Sequence, residues 1–439
     1  MTVLANSAQA QNRVLDIEDT GKGFWHVEDH TLPIITIHFA FYGAGAVNDP
    51  AGKTGMAQIL SNTLDEGAGA RDAKAFQDAL QDHAIELTFS SGRDHFTGKL
   101  KTLKRHAPLA FELLHDALTS PRFDDDAVTR MKQANIMRIK SSLSKTDWQA
   151  SRLMNDVVFG DHPYARNSGG TISDIGSITS ADLESYRETY FNKARLRIAT
   201  AGDATADEMA PIVEQIFGDL AKGEGGYPVI VPVRYPETPL KKAYASDSPQ
   251  SSVQMVWPAL PKNDPDYHAY RVLNHILGAG GFSSFLMEEV REKQGLTYGI
   301  YSQPVFMDAA DYLAVESAAS PENIQAMTKS VQDIVESLKT TPVEAKRLAE
   351  AKSYLIGSLP LRFSSTLSLS GAALRMQLDG RSITSLDEWG DQIEAVTAND
   401  VQRVAQRIFA STQPIATVIA GAVPDNADFT TVTTLPGVE

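Results

Sequence analysis

A duplication limits what this chain can become more than any other feature it has. The stretch SITSADLESYRETYFNKARLRIATAGDA, beginning at Ser177, is echoed by AVTANDVQRVAQRIFASTQPIATVIAGAV, beginning at Ala395. Thr179, Asp182 and Phe191 meet Thr397, Asp400 and Phe409 at one offset, and Gly202 meets Gly421 after a slip of one residue. Each copy reads as a threonine N-cap, an amphipathic helix closing on an aromatic residue, then a β-rich run ending in Ala-Gly. A second echo lies upstream of both, SPRFDDDAVTRMKQANIMRIKSSL from Ser120 against TTPVEAKRLAEAKSYLIGSL from Thr340. Two matches in the same order point to a duplicated domain.

The 439 residues leave room for two full cores. Between Ala221 and Ala243 the chain carries Pro228, Pro232, Pro236 and Pro239 behind a cluster of glycines. Repeated proline favours extended backbone and removes ladder donors. Residues 223–243 therefore read as a linker between an N-terminal domain, 11–222, and a C-terminal domain, 244–439. In the first half GFWHVEDHTLPIITIHFAFYGAG reads as a hairpin turning at VEDHTLP, and AIELTFSSGRDHFTGKLKTL as a second strand pair. In the second, SSVQMVWPAL, TYGIYSQPVFMDAADYLAVESAA and PIATVIAG supply strands. Strands and helices in mixed order, without regular βαβ alternation, give the class α+β.

Charge and cysteine usage close off several functions. A formal charge of −15 argues against nucleic acid or an anionic membrane as the main partner. The chain has no cysteine, which rules out disulfides, thiolate zinc sites and a cysteine nucleophile. No apolar run reaches the ~18 residues of a membrane span. Ala8-Gln9-Ala10 has the small-x-small pattern cut by signal peptidase, so the start reads as a truncated signal peptide, 1–10, or equally as a plain disordered start; the first makes the protein periplasmic, with a cytoplasmic protein as the alternative.

One helix carries a more specific pattern. GKTGMAQILSNTLDEGA, Gly52 to Ala68, sets Gln58, Ser61 and Asn62 at relative positions 0, +3 and +4, on one helical face. In inverted zinc peptidases that face carries His-x-x-Glu-His, two imidazoles for the metal and a glutamate base. Here amides replace the imidazoles and a hydroxyl replaces the base, and neither amides nor hydroxyls suit zinc or proton abstraction from water. The plainer reading is an amphipathic core helix. His26 and His30 have ligand spacing only on a helix; on a strand their Cα atoms stand roughly 13 Å apart. His162 reads as the cap of a turn ahead of Asn167, and His83, His95, His106 and His115 lack a partner carboxylate at ligand spacing. The Gly278-Ala-Gly-Gly run lacks the Lys-Ser/Thr of a phosphate loop.

With these residues on view, the chain resembles the pitrilysin/insulinase family of zinc peptidases, including the mitochondrial processing peptidases and their two-subunit bacterial relatives. The likeness runs from about Val14 to Pro424. It rests on GMAQILSNTLDEG, on FGDHPYARNSGG at Phe159 to Gly170, on the repeated helix-plus-strand ends, and on GGFSSFLMEEVREKQGLTYGIYS at Gly280 to Ser302. The last joins a glycine start, an apolar stripe of Phe282, Phe285, Leu286 and Val290, and a Gly295 stop.

The resemblance implies two homologous mixed α/β-sheet domains of the mitochondrial processing peptidase / LuxS-like metallohydrolase type. It also implies an active site assembled from two parts. One part brings His-x-x-Glu-His and a distant glutamate; this chain departs from it at Gln58, Ser61 and Asn62, and has no glutamate between Glu112 and Glu184. The other brings an arginine and a tyrosine seven positions apart that contact substrate near the cut bond, matched here by Arg291 and Tyr298. Without the family, Arg291 reads as a helix-end cation pairing with Glu288, and Tyr298 as a packed strand aromatic. With it, the expectation is an inactive, substrate-binding subunit with no metal of its own. Zinc and the base would sit on a homologous partner with an intact motif, and peptides would be the substrate. The strand edge in TFSSGRDHF would hold substrate by β-augmentation. The alternative is a peptidase-fold scaffold or peptide-binding protein outside catalysis.

Overall fold

The computed structural model describes residues 13–223, 230–424 and 428–439. Ala8-Gln9-Ala10 and Pro228 lie outside these residues. The first half runs β1 (Glu18–Asp19), β2 (Trp25–Glu28), β3 (Ile34–Phe41), α1 (Met56–Thr63), the short ribbon β4 (Gly67–Ala68) and β5 (Arg71–Asp72), α2 (Ala73–Asp82), β6 (Glu86–Ser91) and β7 (Phe96–Leu103). It continues through α3 (Ala107–Thr119), α4 (Asp125–Ser142), α5 (Thr146–Phe159), α6 (Ile172–Ser177), α7 (Ser180–Tyr190), β8 (Leu196–Gly202) and α8 (Ala206–Phe217). The second half runs β9 (Leu240–Ala245), β10 (Ser251–Pro258), α9 (Tyr267–Asn274), β11 (Ile300–Phe306), β12 (Asp311–Ala319), α10 (Ile324–Thr340) and α11 (Ala345–Gly357). It ends with α12 (Thr366–Leu378), α13 (Trp389–Glu394), α14 (Ala398–Ile408), β13 (Ala416–Gly421) and β14 (Thr430–Val432). The architecture is two mixed-sheet domains of the class α+β.

The duplication is visible strand by strand. The first sheet has the order β1-β2-β8-β3-β7-β6, and the second, read the same way, β14-β9-β13-β10-β12-β11. In both, the strand that follows the echoed helix enters between two earlier strands, parallel to one and antiparallel to the other. Only the outermost strand differs, since β1 runs antiparallel to β2 while β14 runs parallel to β9. The echoed sequences form α7–β8 and α14–β13. Both helices begin in a capping box, Thr179 with Asp182 and Thr397 with Asp400, which satisfies two orphan amides apiece. Both strands end on a glycine at positive φ, +133° at Gly202 and +126° at Gly421. A Cβ there would stand 2.1 Å from Ile34 O or 2.4 Å from Gln250 O, so a neighbouring backbone excludes any larger residue.

Each sheet is covered on one face by its own helices. Residues from α1, α3, α7 and α8 close over Ile37, Phe39 and Phe41 in the first half. Residues from α9, α10, α11 and α14 close over Val253, Met255 and Val315 in the second. The other face is covered by a helix from the opposite half. Ala373, Leu374 and Met376 of α12 pack on Val27, Ala40, Ala199 and Ala201 of the first sheet, where alanines let the helix lie close. Leu153, Met154, Val157 and Val158 of α5 pack on Val256, Ala314, Ala416 and Val418 of the second. Polar pairs fix both helices. Thr36 Oγ1 and His38 Nδ1 each lie 2.8 Å from Ser370 Oγ, and Gln254 Nε2 donates to Ser151 Oγ at 3.0 Å. The two halves therefore complete each other's cores.

Two sequence expectations are corrected here. β2 and β3 do not form a hairpin; β8 lies between them, where both its backbone edges are paired and helices cover its apolar residues on both faces. The proline-rich stretch ends in structure: β9 begins at Leu240, inside the span read as linker, and pairs with β13.

Candidate functional site

The face of α1 closes on itself. Gln58 Nε2 donates to Ser61 Oγ at 3.2 Å and to Asn62 Oδ1 at 3.1 Å, while Ser61 Oγ donates to Gln58 O at 2.8 Å. The three side chains that the frame aligns thus bond to one another, with Ser61 buried and Gln58 and Asn62 half-buried. The helix is fixed at its start by the buried Asp49 carboxyl, which accepts from Gly55 N at 2.7 Å and Ala57 N at 3.0 Å. Burial pushes Asp49 up to about 7 despite these donors. Gly55, at φ +89°, meets the loop after His162 so closely that a Cβ would stand 2.9 Å from Gly170 Cα. That loop is shaped as expected, with His162 accepting from Tyr164 N at 3.1 Å.

Zinc does not fit this face. On the adjoining helix α4, Asn135 donates to Met131 O at 2.8 Å and accepts from Arg138 Nη2 at 2.7 Å, so it too is spent. The only acids of α4, Asp125 and Asp126, stand in its first turn. Two amides and a hydroxyl offer no imidazole, thiolate or carboxylate to a dication. Among the described residues no group of three or more His, Cys, Asp or Glu side chains is arranged to hold a metal.

The second candidate group sits on rare backbone. Helix α9 runs into a π-helical turn, His275–Ala279, and a second π-helical segment, Met287–Lys293, carries Arg291. Such widened turns shift side chains out of α register and are frequent at functional sites. Leu286 and Val290 are fully buried and anchor the segment. Glu288 does not pair with Arg291 as expected; it is held by Arg347 at 2.6 Å and Lys293 at 2.9 Å. Arg291 instead lies over the ring of Phe282, 4.6 Å from its centroid, and Phe282 is itself 63% exposed. Stacking orients a guanidinium without using its five donors.

Tyr298 is not a packed strand aromatic: it is 85% exposed and sits in the loop before β11. Its neighbours hold the backbone, since Thr297 Oγ1 donates to Ala318 O at 2.7 Å and accepts from Gly299 N at 3.1 Å. The Tyr298 hydroxyl makes no hydrogen bond among the described residues. Two further exposed aromatics, missed in the sequence, belong to this surface. Tyr301 projects from β11, and Tyr354 stacks on His275 at 4.8 Å. The alternation in TYGIY, which puts Tyr301 on the face opposite Ile300, is the signal that reveals the first.

The sheets' outer edges bear on peptide binding. β6 pairs only with β7, and β11 only with β12. Thr88 to Ser91 lie on the open edge, but the hairpin tip of TFSSGRDHF does not. Asp94 is buried there, taking the Tyr164 hydroxyl and Asp308 N–H, the latter at 3.3 Å, and His95 approaches Asp308 at 3.5 Å. That tip binds the two halves together. His26 is buried against Thr200 and Ala204, whereas the exposed His30 lies 2.6 Å from both Glu28 and Asp203.

Comparison with known proteins places these features. A family model described as insulinase (peptidase family M16) matches residues 38–169, and one described as peptidase M16 inactive domain matches residues 177–355. A Helicobacter pylori protein named non-peptidase homolog YmxG is 28% identical over 343 residues, 76% of this chain and 77% of its own. A Bacillus subtilis protein named uncharacterized zinc protease YmxG is 23% identical over 378 residues, 86% of this chain and 91% of its own. A crystal structure of a peptidase M16 inactive domain from Pseudomonas fluorescens superposes with a TM-score of 0.86 at 26% identity, covering 94% of this chain and 100% of the other.

Proposed function

The chain belongs to the insulinase (M16) peptidase family, and from that premise we propose that it is the substrate-binding, non-catalytic subunit of a two-subunit zinc metalloendopeptidase that degrades peptides. The observation that carries this reading is the contrast between its two candidate groups. The polar side chains of the α1 face bond to one another, while the Arg291 guanidinium and the Tyr298 hydroxyl make no hydrogen bond or ion pair among the described residues.

Zinc and the general base would come from a homologous partner with an intact His-x-x-Glu-His. Peptide hydrolysis builds negative charge on the attacked carbonyl oxygen, and a guanidinium and a phenol are donors suited to it. Arg291 and Tyr298 would bind the substrate backbone and that oxygen across the subunit boundary. The open edge of β6 would take an extended peptide as an added strand. Action on peptides outside the cytoplasm, in the periplasm, fits this role.

The test is cleavage of a quenched fluorescent peptide by the purified chain with zinc, alone and mixed with an intact-motif homologue. Activity in the mixture only, abolished by a chelator, is expected. Chelator-sensitive cleavage by the chain alone would refute the reading, and a mixture no faster than the homologue alone would turn the assignment to a scaffold.

A further inference from the structure

The outermost strand of the second sheet, β14, is where that sheet departs from the first, and the residues that follow it cross to the first half. Leu435 packs against both the first half's core and the layer between α5 and the second sheet. Val438 is buried in the first half's core. Thr433, Thr434 and Glu439 are exposed, so the seated part runs from Leu435 to Val438.

Three successive carbonyls of this segment each meet a donor of the first half. Pro436 O accepts from Arg152 Nε at 3.2 Å, Gly437 O from Asn167 Nδ2 at 3.2 Å, and Val438 O from Ile172 N at 2.9 Å. Backbone groups read in series beside a buried side chain are how a groove recognises a peptide. Arg152 is buried and makes no ion pair among the described residues; its two terminal nitrogens donate to Ala165 O at 2.7 Å and Arg166 O at 3.3 Å. Burial, with Arg93 close by, lowers its pKa to about 10. A buried guanidinium without a carboxylate relies on carbonyl dipoles, and Pro436 O supplies one of them. Gly437 takes φ +68°, and a Cβ there would stand 2.8 Å from Arg152 Nη2. Proline followed by a positive-φ glycine has the pattern of a type II turn, so the seated shape is favoured in the free segment too. The receiving stretch also seats α1, since Arg166 Nη1 donates to Asp49 O at 3.1 Å and Thr171 N to Thr54 Oγ1 at 3.2 Å.

We propose that the groove formed by Arg152, Asn167 and Ile172 is a peptide site for a Leu-Pro-Gly-Val turn, and that residues 435–438 are its resident ligand, a releasable strap between the two halves. A free peptide of the same chemistry takes the site when the strap leaves it. Three hydrogen bonds among the described residues and two apolar side chains hold the strap, few enough for it to open while both sheets stay folded. The proposal stands without any partner subunit.

Equilibrium binding to the full chain tests it, with a dye-labelled peptide, Thr-Thr-Leu-Pro-Gly-Val-Glu, as the probe. Val438→Asp unseats the strap, and this variant should bind one equivalent of the probe saturably. The unaltered chain should bind it about tenfold or more weakly, because its own strap competes at an effective concentration of millimolar order. Probes carrying Gly437→Val or Val438→Asp should bind the variant about tenfold or more weakly than the parent probe, through the lost turn or the lost buried side chain. No saturable binding to the folded variant, or equal binding of the changed probes or by the unaltered chain, would overturn the proposal. Should Val438→Asp fail to fold, amide exchange on the unaltered chain decides. Ile172 N–H, whose acceptor is Val438 O, should exchange about tenfold or more faster than the amides of β3 and β8, and excess probe should slow it. Exchange at the rate of those strands, or exchange that the probe leaves unchanged, would overturn it as well.

Discussion

The two halves of this molecule share a strand order, a pair of capping boxes and a pair of obligatory glycines, yet present opposite surfaces. The first half bonds the polar face of its peptidase-like helix to itself, through Gln58, Ser61 and Asn62. The second half opens its π-helical segment outward, with Arg291 on an exposed Phe282 and with Tyr298 in solvent. A duplicated scaffold has been held constant in its strand order, helix caps and strand-end glycines and has diverged at these two surfaces. The lesson is that the shared elements report on stability and the unshared ones on function.

The comparison breaks most visibly if the crossed helices are not reciprocal. Leu153→Ala in α5 and Leu374→Ala in α12 should each cost about 2–5 kcal/mol in denaturant unfolding, the range for buried leucines. Amide exchange should then quicken in the opposite half's sheet, β10 and β13 for Leu153→Ala, β3 and β8 for Leu374→Ala. Exchange that quickens only in the helix's own half would defeat the account.

Next in size are the matched glycines. Gly202→Ala and Gly421→Ala both force a side chain into a positive-φ position against neighbouring backbone, so each should lower stability by about 1–3 kcal/mol. A cost in one half alone would show that the symmetry is superficial there.

Acid sensitivity sharpens the comparison further. Hydrogen bonds, led by Lys53 for Asp182 and Thr397 for Asp400, hold both carboxyls at about 2, below the ordinary 3.8. The stability they add is full above the ordinary value and lost as pH falls toward the lowered one. Asp182→Asn and Asp400→Asn should therefore flatten the acid limb of a stability–pH curve equally. Asp49 acts in the opposite sense, because its native carboxyl keeps its proton up to about 7. It lowers stability as pH rises from 3.8 to about 7, and Asp49→Asn should remove that slope.

The smallest effect belongs to the outward surface. Tyr298→Phe, at an exposed position, should change unfolding free energy by no more than about 0.5 kcal/mol, and Arg291→Ala, which loses a stacked guanidinium at a half-buried one, by no more than about 1 kcal/mol. A larger loss would make them structural residues and erase the contrast between the halves.

Much of this was legible in the sequence because it is local. A threonine followed three residues later by an aspartate announces a capped helix wherever it stands, so α7 and α14 could be matched without coordinates. Gln58, Ser61 and Asn62 share a face through helical spacing alone. The rest depends on pairings between distant residues. Nothing near His26 or Ile35 reveals that β8 will come between their strands, and no residue of α5 or α12 states which sheet it will cover. The pairing of Glu288 with Arg347 rather than Arg291 needed both the π-helical register and the approach of α11. Tyr298 looked like a core aromatic because its neighbours are strand formers; only the loop before β11 exposes it.

The central claim, that this chain lends Arg291 and Tyr298 to a site completed by another subunit, is tested most directly in the mixed complex. Peptide cleavage kinetics would be measured for Arg291→Ala and Tyr298→Phe, with subunit association followed by sedimentation on the same samples. The account predicts kcat/KM lower by about a hundredfold for Arg291→Ala, the scale of losing one oxyanion donor, with association unchanged. Unaltered kinetics, or a loss that only tracks dissociation of the complex, would contradict it.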